Sequence, residues 1–323
     1  MKLPLFELDT QARNDENCVI AIGIFDGVHR GHLQLLSSAK KLAKKHKAKL
    51  FTLTFHPHPD TVLRGDDEPT KLIYPVEIRA EILTDREGFL IPESCAADKV
   101  FVKNFTPEFA SESADSFLKF LKDKFPNLKA LVTGENFKFG KGAVADVEWL
   151  KQNAANYGIE TLSVKGLEED GALVSSTRLR SALTAGDMEE FTQLTERPYF
   201  AEGVVCEGRK LGRKIGFPTL NIKWSQECVP PFGVYAAGLV NLDSGQAYAG
   251  VANYGVNPTV GATEPQVETH LFSDVDFGAG TRIQVNFLEF IRPEMKFASL
   301  EDLAKQIRSD KSAAQELWQS GLL

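Results

Sequence analysis

Four of the six histidines of this chain fall in two short stretches, GIFDGVHRGH (Gly23 to His32) and TFHPHP (Thr54 to Pro59). His29 and His32 stand three residues apart around Gly31, just past an apolar run. A turn at that place needs the glycines; it has no need of two imidazoles. At the start of a helix, residues three apart face one side. A helix N-terminus presents backbone N–H groups and about half a positive charge, which favours phosphate. Gly27 and Gly31 allow the backbone to approach closely. Two imidazoles there would donate hydrogen bonds to phosphate oxygens as charge develops during a transfer. His56 and His58 read equally well as a rigid His-Pro turn.

Four further stretches bear on the same chemistry. LVTGENFKFGKG (Leu131 to Gly142) is close to a phosphate-binding P-loop without being one, because Gly142 stands where Ser or Thr would bind magnesium. Its Phe137 and Phe139 alternate with polar residues, so an aromatic ligand could stack there, unless the rings tuck inward. VSSTRLR (Val174 to Arg180) places hydroxyls and two arginines at a helix start. Hydroxyls cap, and guanidinium groups hold phosphate oxygens in pairs. These first-half stretches suit attack on the α-phosphate of a nucleotide, with pyrophosphate leaving. In GRKLGRKIGFPTLN (Gly208 to Asn221) three glycines and four cations precede Phe-Pro-Thr-Leu-Asn. The glycines permit a flap over phosphates, and Thr219 and Asn221, two apart on a strand, point the same way. Their hydroxyl and amide oxygens are hard ligands suited to magnesium with a nucleotide. In QVETHLF (Gln266 to Phe272), Glu268 and His270 share one face, and a carboxylate there could take a proton from an attacking alcohol.

The elements that must position these residues differ between the halves. The first half alternates strand and helix: strand Val19–Phe25, helix His32–His46, strand Lys49–Phe55, helix Val76–Arg86, strand Lys99–Phe105, helix Pro107–Lys124, strand Leu128–Thr133, helix Val144–Tyr157 and strand Glu160–Val164. That is an α/β domain with an open, doubly wound parallel sheet, whose ligands lie beyond the C-terminal strand ends. Helices over Ser176–Ala185 and Asp187–Thr195 follow, split at Gly186. Beyond Arg197-Pro198 come FAEGVV, FPTLNI, GVYAAGLV, AYAGVANYG, QVETHLF and TRIQVNFLEFI, which predict an antiparallel β-barrel or sandwich. A terminal helix opens with Ser299 as its cap.

Composition bounds the reading. A chain of 323 residues suggests two domains. The longest apolar runs are strand-sized, so no membrane span is expected. The N-terminus lacks a basic start followed by an apolar core, so no secretory signal is expected. Cys18, Cys95, Cys206 and Cys228 are scattered without a CxxC pair, which fits a reducing cytoplasm and argues against a zinc site. A net charge of −7 gives no global attraction for nucleic acid.

At these residues the chain resembles, over essentially its full length, the prokaryotic bifunctional riboflavin kinase/FMN adenylyltransferase family. GIFDGVHRGH, TFHPHP, GENFKFGKG and SSTRLR match its nucleotidyltransferase module; GRKLGRKIGFPTLNI, GVYA, VANYGVNPTV, ETHLF and FIRPEMKF match its kinase module. The resemblance implies a Rossmann-like nucleotidyltransferase domain over 1–187, a linker over 188–197 and a β-barrel riboflavin kinase domain with a terminal helix over 198–323. It implies transfer of the γ-phosphate of ATP to riboflavin, giving FMN, then adenylylation of FMN to FAD. His29 and His32 would be catalytic in the second step. Gly23, Phe25, Asp26, Gly31, His58, Ser176, Thr177, Arg178 and Arg180 would bind its ATP. Asn136, Phe137 and Phe139 would lie at its flavin. For the kinase the resemblance implies Glu268 as base, with Arg292 and Glu268 at riboflavin. Gly208, Lys210, Gly212, Lys214, Gly216, Pro218 and Thr219 would lie at ATP, and Thr219 and Asn221 at Mg2+. The implied setting is a cytoplasmic monomer or transient homo-oligomer that handles flavins and ATP, with no nucleic acid or membrane partner. The chain departs from the family's pattern at Asn136, where Asp is usual, at Asp276-Phe277-Gly278, where Tyr-Gly is usual, and at Tyr74-Pro-Val-Glu-Ile. Alternatives are an enzyme that keeps the kinase step only, a nucleotidylyltransferase acting on cytidine or pantetheine substrates, and a non-catalytic flavin-binding regulator.

Overall fold

Strands whose residues are apolar without alternation are covered on both faces, and the first half of the chain is built around such strands. The computed structural model describes residues 4–10, 13–64, 69–85, 88–207, 212, 215–256 and 265–319. In it β1 (Leu5–Glu7), β2 (Cys18–Ile22), β3 (Lys49–His56), β4 (Lys99–Asn104), β5 (Leu128–Gly134) and β6 (Glu160–Val164) form one sheet ordered β1-β4-β3-β2-β5-β6. Every neighbouring pair is parallel. All five residues of β2 are buried. The chain runs from β2 to β3 and β4 on one side, then crosses to β5 and β6 on the other. The reversal lies between β2 and β5, and in sheets of this kind ligands bind beyond the C-terminal strand ends at such a point.

Helix α1 (Arg30–Lys45) buries Leu33, Leu35, Leu36, Ala39, Leu42 and Ala43 and ends in Lys44 and Lys45, whose charges suit a helix C-terminus. Short α2 (Pro59–Arg64) and α3 (Val76–Leu83) follow β3. The helix expected over Pro107–Lys124 is two helices, α4 (Pro107–Ala110) and α5 (Ala114–Lys124). The cause is local: the Ser113 hydroxyl accepts from the Ser116 amide at 3.1 Å and starts a new helix where Ser111-Glu-Ser113 would have continued the old one. In the same way Asp146 caps α6 (Val147–Ala154), which therefore begins later than Val144. Strand β1 and a two-stranded hairpin of β7 (Glu168–Glu169) and β8 (Ala172–Leu173) were not anticipated; each is too short to show a period.

The chain divides into two units, Met1–Arg178 and Leu179–Leu323, and the division falls inside α7 (Ser176–Ala185). In the second unit α8 (Met188–Thr195) buries Phe191 edge-on against Tyr199 at 5.3 Å. The expected linker 188–197 is thus mostly helix packed on a strand. β9 (Tyr199–Val204), β10 (Leu220–Lys223), β11 (Gly233–Asn241), β12 (Ala247–Gly255), β13 (Gln266–Leu271) and β14 (Arg282–Pro293) form a sheet ordered β10-β13-β12-β11-β14-β9. All its pairs are antiparallel. Its two edges meet through a bridge between Cys206 and Asn221, closing a near-barrel. Tyr199, Trp224, Tyr235, Tyr254 and Phe287 fill the interior edge to face or tilted, with ring centroids 5.0–6.3 Å apart. On the outer face α9 (Leu300–Gln319) seats Ala314 against Val234, Ala236 and Val251. The Ser299 hydroxyl accepts from the Asp302 amide at 3.1 Å, as expected of a cap.

Two candidate active sites

In the first unit the stretch after β2 leaves the sheet by a strained turn. Phe25 (φ 54°), Gly27 (φ 72°) and Val28 (φ 42°) all have left-handed backbones. For a bulky and a β-branched residue that conformation costs about 1–3 kcal/mol each and persists only where packing enforces it. Both side chains are completely buried. Asp26 is buried too, and its Oδ1 accepts from the Ile73 amide at 2.9 Å. Beneath the turn lies Arg79 of α3, 1% exposed. Its guanidinium donates to the Ile24 carbonyl and, at 3.2 Å, to Thr54 Oγ1. Sequence reasoning missed Arg79; the available signal was a lone arginine at an i, i+3, i+4 position of an otherwise apolar helix face.

The turn delivers His29 as the cap of α1. Its Nδ1 accepts from the His32 amide at 3.4 Å, so its proton, in the neutral ring, is on Nε2. The His32 ring stacks on it at 3.7 Å, and Phe25 meets His32 edge-on at 5.3 Å. A Cβ on Gly31 would come within 3.1 Å of His29 Nδ1, so glycine keeps the imidazole in place. The Ser176 hydroxyl at the start of α7 donates to the Asp26 carbonyl at 2.9 Å, and the Ser175 hydroxyl accepts from the Arg178 amide at 3.3 Å. α7 and the histidine turn are thereby joined. The β7–β8 hairpin holds two cations beside them: Arg30 pairs with the Glu169 carboxylate at 2.5 Å, and Arg178 donates to the Glu169 carbonyl at 3.0 Å. Arg30 and Glu169 were not singled out in the sequence. Thr177 lies between Ser176 and Arg178, and Arg180 two residues further along α7.

The remaining expected residues sit at neighbouring strand ends. His58 follows β3, and its Nδ1 accepts from the Asp60 amide at 3.1 Å. Gly23 follows β2, its amide bonded to the Leu53 carbonyl at 3.1 Å. After β5, Asn136 is exposed. Phe137 stacks on Phe139 at 5.3 Å, and Phe139 also meets Phe117 at 5.5 Å and Trp149 at 5.6 Å. Both rings are partly buried against the main core.

The second unit builds its site from strand register. Asn221 on β10 opposes Glu268 on β13, which opposes Asn253 on β12. The row continues to Val234 on β11 and Arg292 on β14. Directly opposed residues share a face with Cβ atoms about 4.5–5.5 Å apart. Glu268 therefore stands between two amide side chains, of which sequence reasoning found Asn221 and missed Asn253. The Asn221 amide lies 3.5 Å from Thr219 Oγ1, so the hydroxyl and the amide do converge. Gly216 (φ 86°) turns the chain ahead of Phe217-Pro-Thr219, and Gly212 is bonded through its carbonyl to the Phe217 amide at 2.8 Å. Arg292 grips buried Asp310 of α9 through two bonds of 2.8 and 2.7 Å, three strands from Glu268. Gly208, Lys210 and Lys214 lie outside the described residues. Among the described residues no group of three or more His, Cys, Asp or Glu is placed to hold a metal. The oxygen donors Thr219 and Asn221 nevertheless suit a magnesium ion that keeps waters and nucleotide phosphates as its other ligands.

Residues 11–178 match the family described as FAD synthetase, and residues 195–318 match Riboflavin kinase. The chain is 34% identical over 303 residues to the "Bifunctional riboflavin kinase/FMN adenylyltransferase" of Escherichia coli (strain K12), covering 94% of this chain and 93% of that one. It is 35% identical over 304 residues to the protein of the same name from Bacillus subtilis (strain 168), covering 92% and 91%. Among solved structures, a crystal structure described as a macrolide-efflux protein from Streptococcus pneumoniae superposes with a TM-score of 0.79 at 27% identity, covering 96% of each chain. Among the described residues of the present chain, no helix is long and apolar enough to cross a membrane.

Proposed function

Because the chain belongs to the family of bifunctional riboflavin kinase/FMN adenylyltransferases, we propose that the two sites just described divide its two reactions between them. The chain is an enzyme of flavin cofactor biosynthesis: it phosphorylates riboflavin to FMN with ATP and adenylylates FMN to FAD.

In the kinase reaction the 5′-hydroxyl of riboflavin attacks the γ-phosphorus of ATP and ADP leaves. Glu268 takes the hydroxyl proton, and Asn221 and Asn253 flank its carboxylate and limit the directions in which it faces. Thr219 and Asn221 would hold Mg2+, which supplies neutralisation of the charge on the transferring phosphate. Pro218, Gly212 and Gly216 shape the stretch against the nucleotide, joined by Gly208, Lys210 and Lys214. Arg292 acts on the flavin side by seating α9.

In the adenylyl transfer a phosphate oxygen of FMN attacks the α-phosphorus of ATP, and the bond to the pyrophosphate oxygen breaks. His29, through Nε2–H, and His32 donate to the phosphate oxygens as charge builds. Gly23, Phe25, Asp26 and Gly31 fix the turn. His58, Ser176, Thr177, Arg178 and Arg180 complete the nucleotide site, and Asn136, Phe137 and Phe139 border the flavin. The activities are assigned to 1–187 and 198–323. The four cysteines, none of them in a disulfide among the described residues, support a reducing compartment, the cytoplasm. The net charge of −7 supports small-molecule substrates rather than nucleic acid, and a monomer or transient homo-oligomer is proposed.

The observation that carries the reading is the row Asn221–Glu268–Asn253, a carboxylate set between amides beside a hydroxyl donor. Incubation with riboflavin, ATP and magnesium, with flavins resolved by chromatography over time, tests it. FMN should appear first and FAD after it. FMN without FAD would remove the adenylyl assignment, and neither product would remove both.

A further inference from the structure

Strand β13 carries two further polar side chains on the face of Glu268, Gln266 and His270, and of these His270 is the buried one. His270 is two residues beyond Glu268 and 7% exposed. Its Nδ1 lies 2.9 Å from the Pro218 carbonyl. Its Nε2 lies 3.5 Å from Lys311 Nζ on α9. The Phe217 ring closes over it edge-on at 5.3 Å. A carbonyl only accepts, so Nδ1 carries the proton; an ammonium only donates, so Nε2 presents its lone pair. The two neighbours thus specify one neutral tautomer. Burial first, then the Lys311 charge, holds the His270 pKa below the usual histidine range, against the Pro218 bond that works to raise it. At 3.5 Å the Lys311 contact is at the long limit of a hydrogen bond, so the bond to Pro218 is the stronger tether.

That tether falls just outside the strand ladder. β10 begins at Leu220, so Pro218 and Thr219 precede its ladder, and proline has no N–H to offer. Among the described residues, Thr219 is otherwise approached by the Asn221 side-chain amide, at 3.5 Å to its carbonyl and to its hydroxyl. We propose that His270 is a positioning residue for riboflavin phosphorylation: its Nδ1–H holds the Pro218 carbonyl and so fixes Thr219 at the nucleotide, while Lys311 makes that hold depend on the seating of α9. The inference rests on the assignment of Thr219, Asn221 and Glu268 to phosphoryl transfer.

Three variants of the full chain test it. In His270→Asn the side-chain amide falls about where Nδ1 was; in His270→Gln it falls about where Nε2 was and the Pro218 bond is lost. Lys311→Met keeps the aliphatic stem and removes the charge. Kinase rates against ATP, riboflavin affinity by fluorescence and thermal unfolding are measured for each. The expected result is a rise of about tenfold in KM for ATP in His270→Gln, the size of one lost hydrogen bond. Riboflavin affinity should be unchanged, His270→Asn should recover most of the loss, and Lys311→Met should fall between. An unchanged KM for ATP in His270→Gln and Lys311→Met overturns the proposal. So does an equal loss in Asn and Gln accompanied by lower melting temperature and weaker riboflavin binding, which marks a purely structural histidine. A parent chain that fails to phosphorylate riboflavin removes the functional reading itself and is told apart by that control.

Discussion

Glu268 takes its setting from its neighbours across two strands, and the assigned role predicts a clean separation of binding from chemistry. Glu268→Gln keeps shape and hydrogen bonding while removing the base. FMN formation should fall by about 10²–10⁴-fold, with riboflavin affinity retained, as measured by product chromatography and fluorescence titration. Surviving kinase activity would move the base elsewhere. At the other site, Gly31→Ala separates function from stability. Alanine favours a helix over glycine by about 1 kcal/mol, yet its Cβ would press within 3.1 Å of His29 Nδ1. Adenylyl transfer from supplied FMN should drop by about tenfold as the ring is displaced, while the melting temperature holds or rises. A fall in melting temperature with unchanged transfer would show that the histidine position is immaterial.

The parallel sheet uses its two edges differently. Its C-terminal strand ends carry the glycine turns, histidines and α7 contacts. Its N-terminal edge carries charge pairs with no role in a site. Glu16, just before β2, accepts from Lys49 at the start of β3 and from Lys99 at the start of β4. Those two hydrogen bonds, first Lys49 and then Lys99, pull the Glu16 carboxyl down to about 2. A carboxyl with a depressed folded-state pKa stabilises above its unfolded value and loses that contribution as pH falls toward the folded one. The side chain is 33% exposed, so solvent screening limits the effect to about 1 kcal/mol. Glu16→Gln should therefore destabilise by about that amount in urea at pH 7. The difference from the parent should shrink below pH 4.5 and vanish near pH 2. A constant difference across that range would mean that packing, not charge, is what Glu16 contributes.

Two sites in one chain, with FMN the product of one and the substrate of the other, invite a complementation test. A His29→Ala chain should convert riboflavin to FMN and stop. A Glu268→Gln chain should make FAD only from supplied FMN. Mixed together with riboflavin, ATP and magnesium, the two should restore FAD, because FMN released by one reaches the other through solution. Little FAD from the mixture, with each chain active in its own step, would show that FMN is handed on within a chain.

Much was legible in the sequence because local chemistry wrote it there. Doubly buried strands need unbroken apolar runs, helices need a 3.6-residue stripe, short strands come between turn signals and a helix starts at a capping serine, so the α/β half, the antiparallel half and the terminal helix could all be read from local signals. Glycines beside paired histidines, and hydroxyl and amide two residues apart, likewise marked the stretches assigned to the two proposed sites. Side-chain caps, the Ser113 hydroxyl and the Asp146 carboxylate, moved helix boundaries because a single side-chain bond outweighs a weak helical preference. What only the tertiary structure decided was every relation between residues distant in sequence. Strand register made Asn253 the neighbour of Glu268, and the fold buried Arg79 beneath the histidine turn. Packing of α9 on the barrel brought Lys311 to His270 and Asp310 to Arg292. A period places a side chain on a face; which partner meets it there depends on how strands and helices come together, and that is settled by the shared core.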